Sequence, residues 1–444
     1  MGFLDFLLFP VYVLVFYLLF AVSRKNIKDP TLKFYHKYGF WAKVLASFAI
    51  TIFNYYISVG DSTTLYYTEG SQLYKHILND SYHLQWLFMK GNEYPSELIG
   101  NPWNTGYFGS EANFFVIRLV AIFSFASFGR YMIINLFFSM LAFTGIWKLF
   151  RFFYDIYPHL HKKIALAILF LPTLLFWSSG ALKDPICMGM LGWVTFCIYK
   201  GFYKKERTIF NTIGALVAIW VLTVVKPYII FAYLPFFVLY LLLINLTLIK
   251  NTFVRASMVI VIAAISVGGF VLVSDKLMEA MGSYSLEKLN DSVQSQQANF
   301  INMAGRAESS FSLGVEYDGS LSSLLQLAPA AINATLFRPY LWESKKISTL
   351  LSSLESLTLM IFTLIVFYKT GIKLFFGTLL KDPMVMFCFF FSILFALFVG
   401  ATTLNFGTLV RYKIPCMPFY IMALVLINEH RKQIKKPGPL KVAG

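Results

Sequence analysis

Apolar stretches of about 15 to 22 residues, the length that crosses a bilayer, recur along this 444-residue chain, separated by short runs rich in Lys and Arg. A helix on the surface of a soluble core needs only one apolar stripe, so uninterrupted runs of this length point to lipid as the solvent. With 58% hydrophobic and 18% aromatic residues and a mean hydropathy of +0.65, the chain reads as an all-α polytopic membrane protein. The net charge of +16 does not indicate nucleic acid. The bases lie in clusters between apolar spans, where the positive-inside bias accounts for most of them, and not along one soluble face.

Those clusters are 24–43, 148–163, 200–207, 250–255, 369–381 and 431–441, and together they hold 24 of the 38 Lys and Arg against three acids, Asp29, Asp155 and Glu206. They are assigned to the cytoplasm. Residues 60–112 carry 6 acids and 2 bases, and 275–320 carry 7 acids and 3 bases, so both face outward. Between these fixed points the expected spans are 3–22, 40–59, 131–149, 164–182, 186–200, 209–225, 228–248, 256–274, 349–368, 384–400 and 413–428, about eleven in all. The N-terminus is then outside and the C-terminus cytoplasmic. Asn113 to Gly129 is apolar but carries Arg118, and one more crossing would invert the parity that the charges demand; it reads as a helix lying in the outer interface. In the first span Arg24 and Lys25 follow the apolar run, the reverse of a secretory signal, so it is expected to stay as an anchor.

The chain is expected to form a single integral membrane domain over 1–444, with a first large outer loop at 60–130 and a second at 275–347. Both loops are too short and polar for independent cores. In the second, the polar run 293–299 gives way to an apolar stretch at 321–336 that looks like a half-helix returning to the membrane. Cys187, Cys197, Cys388 and Cys416 all fall inside expected spans, so neither a disulfide framework nor a zinc site is implied. No internal repeat and no Gly-rich phosphate loop is evident.

Fourteen cations remain outside the cytoplasmic clusters, several at outer helix ends. A cation at that depth costs desolvation free energy unless an anion meets it, which suggests a phosphate-bearing ligand at the outer face. Asp61, where the second span meets water, is the candidate general base or metal ligand, although the position also suits a residue that merely ends a helix. Glu69 is a candidate partner. His76, Asp80 and His83 share one face at helical spacing and suit a metal or a solvated face. Leu171 to Pro185 reads as a tight outer hairpin with Lys183 and Asp184 paired at its apex and Ser178 and Ser179 one turn below. Lys226 stands at another outer helix end. Arg338 with Glu343, and Arg411 with Lys413, sit among aromatic residues; Arg binds phosphate bidentately, whereas interfacial snorkelling needs no partner.

These motifs resemble the GT-C superfamily of membrane glycosyltransferases, the group that includes protein O-mannosyltransferases and lipid A aminoarabinose transferases. Asp61 opens the first large outer loop, Leu171 to Pro185 looks like the family's hairpin ending in Asp-Pro, and Arg411-Tyr412-Lys413-Ile414-Pro415 to Pro418 is similar to its late Arg-Tyr-x-x-Pro-x-x-Pro pattern. The tandem acidic pair of many members is missing at Asp61, as is the large C-terminal soluble domain of some. The resemblance implies a GT-C-like bundle with interfacial helices in the first outer loop, in a bacterial cytoplasmic (inner) membrane. It implies a polyprenyl-phosphate-linked sugar as donor and a glycan, lipid or protein as acceptor, in cell-envelope polysaccharide biosynthesis. The cofactor stays open, a divalent metal among the options.

In that chemistry Asp61 deprotonates the acceptor hydroxyl, while Arg338, Arg411, Lys183 and Lys413 stabilise the departing polyprenyl phosphate; Glu69, Asp184, Lys226 and Glu343 are further cavity candidates. A charge-matched phosphate leaves without a second carboxylic acid, unlike the leaving group of glycoside hydrolysis. An O-antigen-type polysaccharide polymerase would share the outer arginines and a lipid-linked sugar substrate. A lipid-linked sugar transporter or flippase would need ionisable residues near the bilayer midplane, where Glu355 is the main one.

Overall fold

The computed structural model describes residues 1–58, 60–246, 311, 313, 321–344, 347–403 and 405–435. The expected span 256–274 lies outside them, as does the segment 275–320, expected to face outward, apart from two residues. Among the described residues the protein is all-helical, with 8 helices long and apolar enough to cross a membrane, or up to 10 if each of two bent helix pairs is one span. It is an all-α protein of membrane-spanning character. Residues 1–227 and 228–444 form two compact units.

The first unit begins with α1 (Phe3–Lys25), a mostly apolar helix in which only Asp5 and Val13 are buried, as a helix largely facing lipid requires. Asp29 caps the next helix, α2 (Pro30–Ile52), by accepting from Thr31 N at 2.8 Å, and Pro30 occupies the first turn, where its missing N–H costs nothing. This cap starts the helix ten residues before the expected 40, and a π-helical turn, Phe53–Ile57, continues it. The Tyr154 hydroxyl donates to Asp29 Oδ2 at 2.6 Å and, with the backbone donors, holds that carboxyl below the usual carboxylate range.

A second π-helical stretch, Ser62–Tyr67, leads into α3 (Thr68–Asn79). A series of short turns and α4 (Thr105–Phe108) follow, then α5 (Glu111–Ser127). The helix expected at Asn113 to Gly129 is therefore present as α5, and the segment Pro102–Phe108 meets it at a bend of 114°. Gly70 lets α3 lie against α5: a Cβ there would stand 2.5 Å from Val120.

The mast of the unit is α6 (Tyr131–Ile156), buried along most of its length. After it, the expected single span 164–182 is two short helices, α7 (His161–Ile168) and α8 (Pro172–Trp177). Pro172 has no N–H to continue the ladder and forces Leu171 into an extended conformation, which breaks the helix there. Next come α9 (Lys183–Ile198) and α10 (Thr208–Val225), with a third π-helical turn, Tyr199–Tyr203, between them.

α6 and α9 touch backbone to backbone. A Cβ on Gly145 would stand 1.7 Å from Gly189 O, and one on Gly192 would stand 1.9 Å from Gly145 O. Small residues at a crossing let membrane helices gain dispersion energy and close Cα–H contacts that larger side chains forbid.

The second unit contains α11 (Pro227–Leu246), α12 (Leu321–Phe337), α13 (Ile347–Lys381), α14 (Pro383–Thr402), α15 (Phe406–Tyr412) and α16 (Met417–Lys435). Tyr233 of α11 packs edge-on against Phe391 of α14 at 5.1 Å, and Phe391 against Phe419 of α16 at 5.0 Å. The stretch expected to be a half-helix is α12, which crosses α14 closely: a Cβ on Gly400 would stand 2.1 Å from Ala331 O, and Thr335 Oγ1 donates to Ala396 O at 2.7 Å. Gly371, at φ +70°, interrupts α13 just past the expected span 349–368. The last expected span begins at Met417 and follows α15 at a bend of 63°.

Ala in place of Gly ordinarily favours an exposed helix by about 1 kcal/mol. At position 145 the added Cβ meets a carbonyl, so Gly145→Ala is expected to lower stability by about 1–3 kcal/mol or more, as overpacking does. Gly377→Ala, where nothing lies within 4 Å, is expected to be neutral or mildly stabilising. Thermal unfolding of the two purified variants checks both; an unchanged midpoint for Gly145→Ala contradicts the close crossing.

Candidate functional site

The segment between α8 and α9 leaves helical backbone groups that must find partners inside the unit. Lys43, in the middle of α2 and only 2% exposed, supplies one: its Nζ donates to the Ser178 carbonyl and lies 3.0 Å from Ser178 Oγ and 2.6 Å from Ser179 Oγ. Both hydroxyls donate back to carbonyls of the preceding turn, Leu174 and Leu175. From the other side Asn135 Oδ1 accepts from Ala181 N at 2.7 Å, while its Nδ2 donates to Thr51 Oγ1 at 2.9 Å. The open turn is thus held by α2 and α6. It delivers Lys183 and Asp184 to the first turn of α9, where an acid is favoured by the helix dipole.

Successive residues of a helix point about 100° apart, so Lys183 and Asp184 diverge instead of pairing at a hairpin apex. Asp184 Oδ1 meets Lys226 Nζ at 2.7 Å, and the two residues are 2% and 5% exposed. Lys226 follows the last residue of α10, which places its amine across from the start of α9. Lys183 is half-buried and within electrostatic reach of Lys226, Asp61 and Asp184. Of the expected site residues, Asp184 and Lys226 thus form a direct pair, with Lys183 in the same turn as Asp184 and Asp61 within electrostatic reach of Lys183. Ser178 and Ser179, expected one turn below the apex of an outer hairpin, are fully buried on Lys43.

Asp61 itself is exposed and stands between the two π-helical stretches. Such turns often mark functional positions, because the widened turn redirects side chains from the regular ladder. Ser62 Oγ and Tyr131 OH are 2.8 Å apart, and Tyr67 OH donates to Gly129 O at 3.0 Å. The Asn54 Nδ2 is buried without a partner.

Glu69 is 2% exposed and holds the loop between α3 and α5: its carboxylate accepts from Gly100 N at 2.8 Å, Asn101 N at 3.0 Å and Asn104 Nδ2 at 2.6 Å. His76 lies 3.2 Å from Leu98 O through Nε2, and Asp80 caps the following turn by accepting from Tyr82 N. The rings of His76 and His83 are 5.5 Å apart, but among the described residues no group of three or more His, Cys, Asp or Glu side chains is arranged to hold a metal ion.

In the second unit Arg338 forms a fork with Glu343. Nε lies 3.0 and 3.1 Å from the two carboxylate oxygens, and a further guanidinium N–H donates to Oε1. Glu343 also accepts from Tyr340 N at 2.8 Å. The guanidinium packs over the Phe311 ring at 4.4 Å, and Phe311 stacks on Phe406. Lys413 is 0% exposed and donates to Arg338 O at 3.1 Å and Ser356 Oγ at 2.8 Å, with Glu355 within electrostatic reach. Arg411 is half-buried in the last turn of α15.

Comparison with protein families, curated proteins and solved structures finds no match to this chain.

Removing one partner of a buried ion pair leaves the other charge unmet and costs about 3–5 kcal/mol, whereas replacing both with apolar or neutral groups is often nearly neutral. Lys226→Met is therefore expected to destabilise the protein strongly, and Asp184→Asn/Lys226→Met to recover much of the loss. A double-mutant cycle by thermal or denaturant unfolding checks this; strictly additive losses would contradict a direct pair.

Proposed function

We propose that this chain is a membrane glycosyltransferase that moves a sugar from a polyprenyl-phosphate donor to an acceptor at the outer face of the membrane. An outer N-terminus, a cytoplasmic C-terminus and a bacterial cytoplasmic membrane go with this proposal. The observation that carries it is the cluster of Asp61, Lys183, Asp184 and Lys226, where an exposed carboxylate stands within electrostatic reach of a half-buried amine beside a buried ion pair. A base and a cation are the two groups that displacement of a phosphate by a hydroxyl needs.

In this reaction Asp61 takes the proton of the acceptor hydroxyl as its oxygen bonds to the anomeric carbon. The bond from that carbon to the phosphate oxygen breaks, and its electron pair leaves with the polyprenyl phosphate. Lys183 matches the charge on the leaving group. Asp184 fixes Lys226, so Lys183 is the amine available to the phosphate. Arg338 and Lys413, in the second unit, are taken up otherwise: the first is engaged by Glu343 and the second is buried against Arg338 O and Ser356. Glu69 shapes the outer loop and carries no proton in this scheme.

The observation nearest to a transporter reading is Lys43, an ionisable side chain inside a span. Its 2% exposure and three contacts to Ser178 and Ser179 make it part of the packed core, not the lining of a path.

Purified protein incubated with labelled polyprenyl-phosphate sugars is expected to release polyprenyl phosphate. Asp61→Asn should lower the rate by about 10²–10⁴-fold, the range of a general base, while leaving the protein folded. Lys183→Gln should weaken use of the donor. Full activity in Asp61→Asn removes the proposed base, and no release with any such donor removes the transferase reading.

A further inference from the structure

The end of the first unit opposite Lys183 contains a second group of cations. Lys148 stands 17 residues along α6 from Tyr131, about 26 Å, and Arg151 one turn farther, which brings both to the far end of a bilayer-length helix. Lys148 Nζ lies 3.9 Å from the centroid of the Trp193 ring and 4.5 Å from that of Phe196. Arg151 Cζ lies 5.3 Å from the same Phe196 ring, and Lys200 Nζ lies 5.9 Å from it. Trp193 is fixed by donating its Nε1–H to Thr144 Oγ1 at 3.0 Å. Three cations thus converge on one phenyl ring.

The nearby carboxylates do not balance them evenly. Asp155 Oδ2 and Glu206 Oε1 both go to Lys200 Nζ, at 2.9 and 3.1 Å. Among the described residues neither Lys148 nor Arg151 has a carboxylate within ion-pair distance, and Arg151 Nε is buried with no hydrogen-bond partner. Two like charges one helical turn apart repel, and the repulsion grows as they leave water. Aromatic faces offset part of it, at about 0.5–2 kcal/mol for each cation, but they satisfy no N–H. Ordinary snorkelling would turn both side chains into water, whereas here both are half-buried.

We infer that Lys148 and Arg151 form a binding site for a phosphate group, with Lys200 at its edge, Arg151 offering directional N–H donors and Lys148 a point charge held by Trp193 and Phe196. Such paired cations at the end of a membrane-length helix suit the headgroup of an anionic lipid, and the same donors would take inorganic phosphate. The site is separate from the charged cluster around Lys183 and does not depend on the transferase reading.

Native mass spectrometry of the purified full chain with phosphatidylglycerol or phosphatidylcholine added tests the lipid source, and thermal unfolding in lipid-free detergent with inorganic phosphate against chloride at equal ionic strength tests the free anion. The wild type is expected to retain phosphatidylglycerol at least tenfold better than phosphatidylcholine, and Lys148→Gln/Arg151→Gln to lose that preference while staying monodisperse. A phosphate-specific rise in the unfolding midpoint without lipid preference assigns the same site to a soluble phosphate. A wild type showing neither response overturns the inference, and does so even where the double variant fails to fold. Retention of the full preference in a folded double variant overturns it as well.

Discussion

The approach of α6 to α9 through Gly145, Gly189 and Gly192 is the constraint on which the first unit depends. With carbonyls where side chains would otherwise stand, the two helices have no slack in separation or register. The start of α9, with Lys183 and Asp184, and its end, with Phe196 and Lys200, are therefore fixed relative to α6. Both charged regions of the unit inherit their geometry from one crossing between small residues.

Buried charge is handled in several ways within the chain. Asp184 and Lys226 pair directly, so each desolvation cost is offset by the other ion. Lys43 and Lys413 instead donate to carbonyl and hydroxyl oxygens in a role nearer to capping: each closes a non-helical turn, one at Ser178 and one at Arg338. Glu69 does the converse, gathering backbone and side-chain N–H groups of the loop between α3 and α5 around a carboxylate. In a medium without water such groups define which loop conformations are possible.

Much of the helical content was legible because apolar length is a one-dimensional signal: α1, α6, α10 and α14 fall close to the spans read from hydropathy. The start of α2 was not, because the basic cluster around Lys33 and Lys37 outweighed the signal of Asp29 followed by Pro30; a reading of that cap would have put Lys43 in the middle of the helix and not near its start. The break before α8 was also signalled, by Pro172, yet hydropathy averages over a proline. Asp61, Lys183, Asp184 and Lys226 stood out because charge is scarce in such a chain. Their partners did not, since Asp184 chooses Lys226 over its neighbour Lys183 through helical geometry and tertiary packing. Asn135 gave no sequence signal, for a polar residue within an apolar run shows its role only when the facing helix is known.

Where a lipid phosphate docks on this chain is read out by photo-crosslinking the purified protein with a polyprenyl phosphate bearing a diazirine next to the phosphate, followed by peptide mapping. A donor site at the cluster of Asp61 and Lys183 puts label on residues 60–68 and 182–186, reduced by excess unlabelled polyprenyl phosphate. Label confined to other segments, or unaffected by that competitor, would contradict such a site.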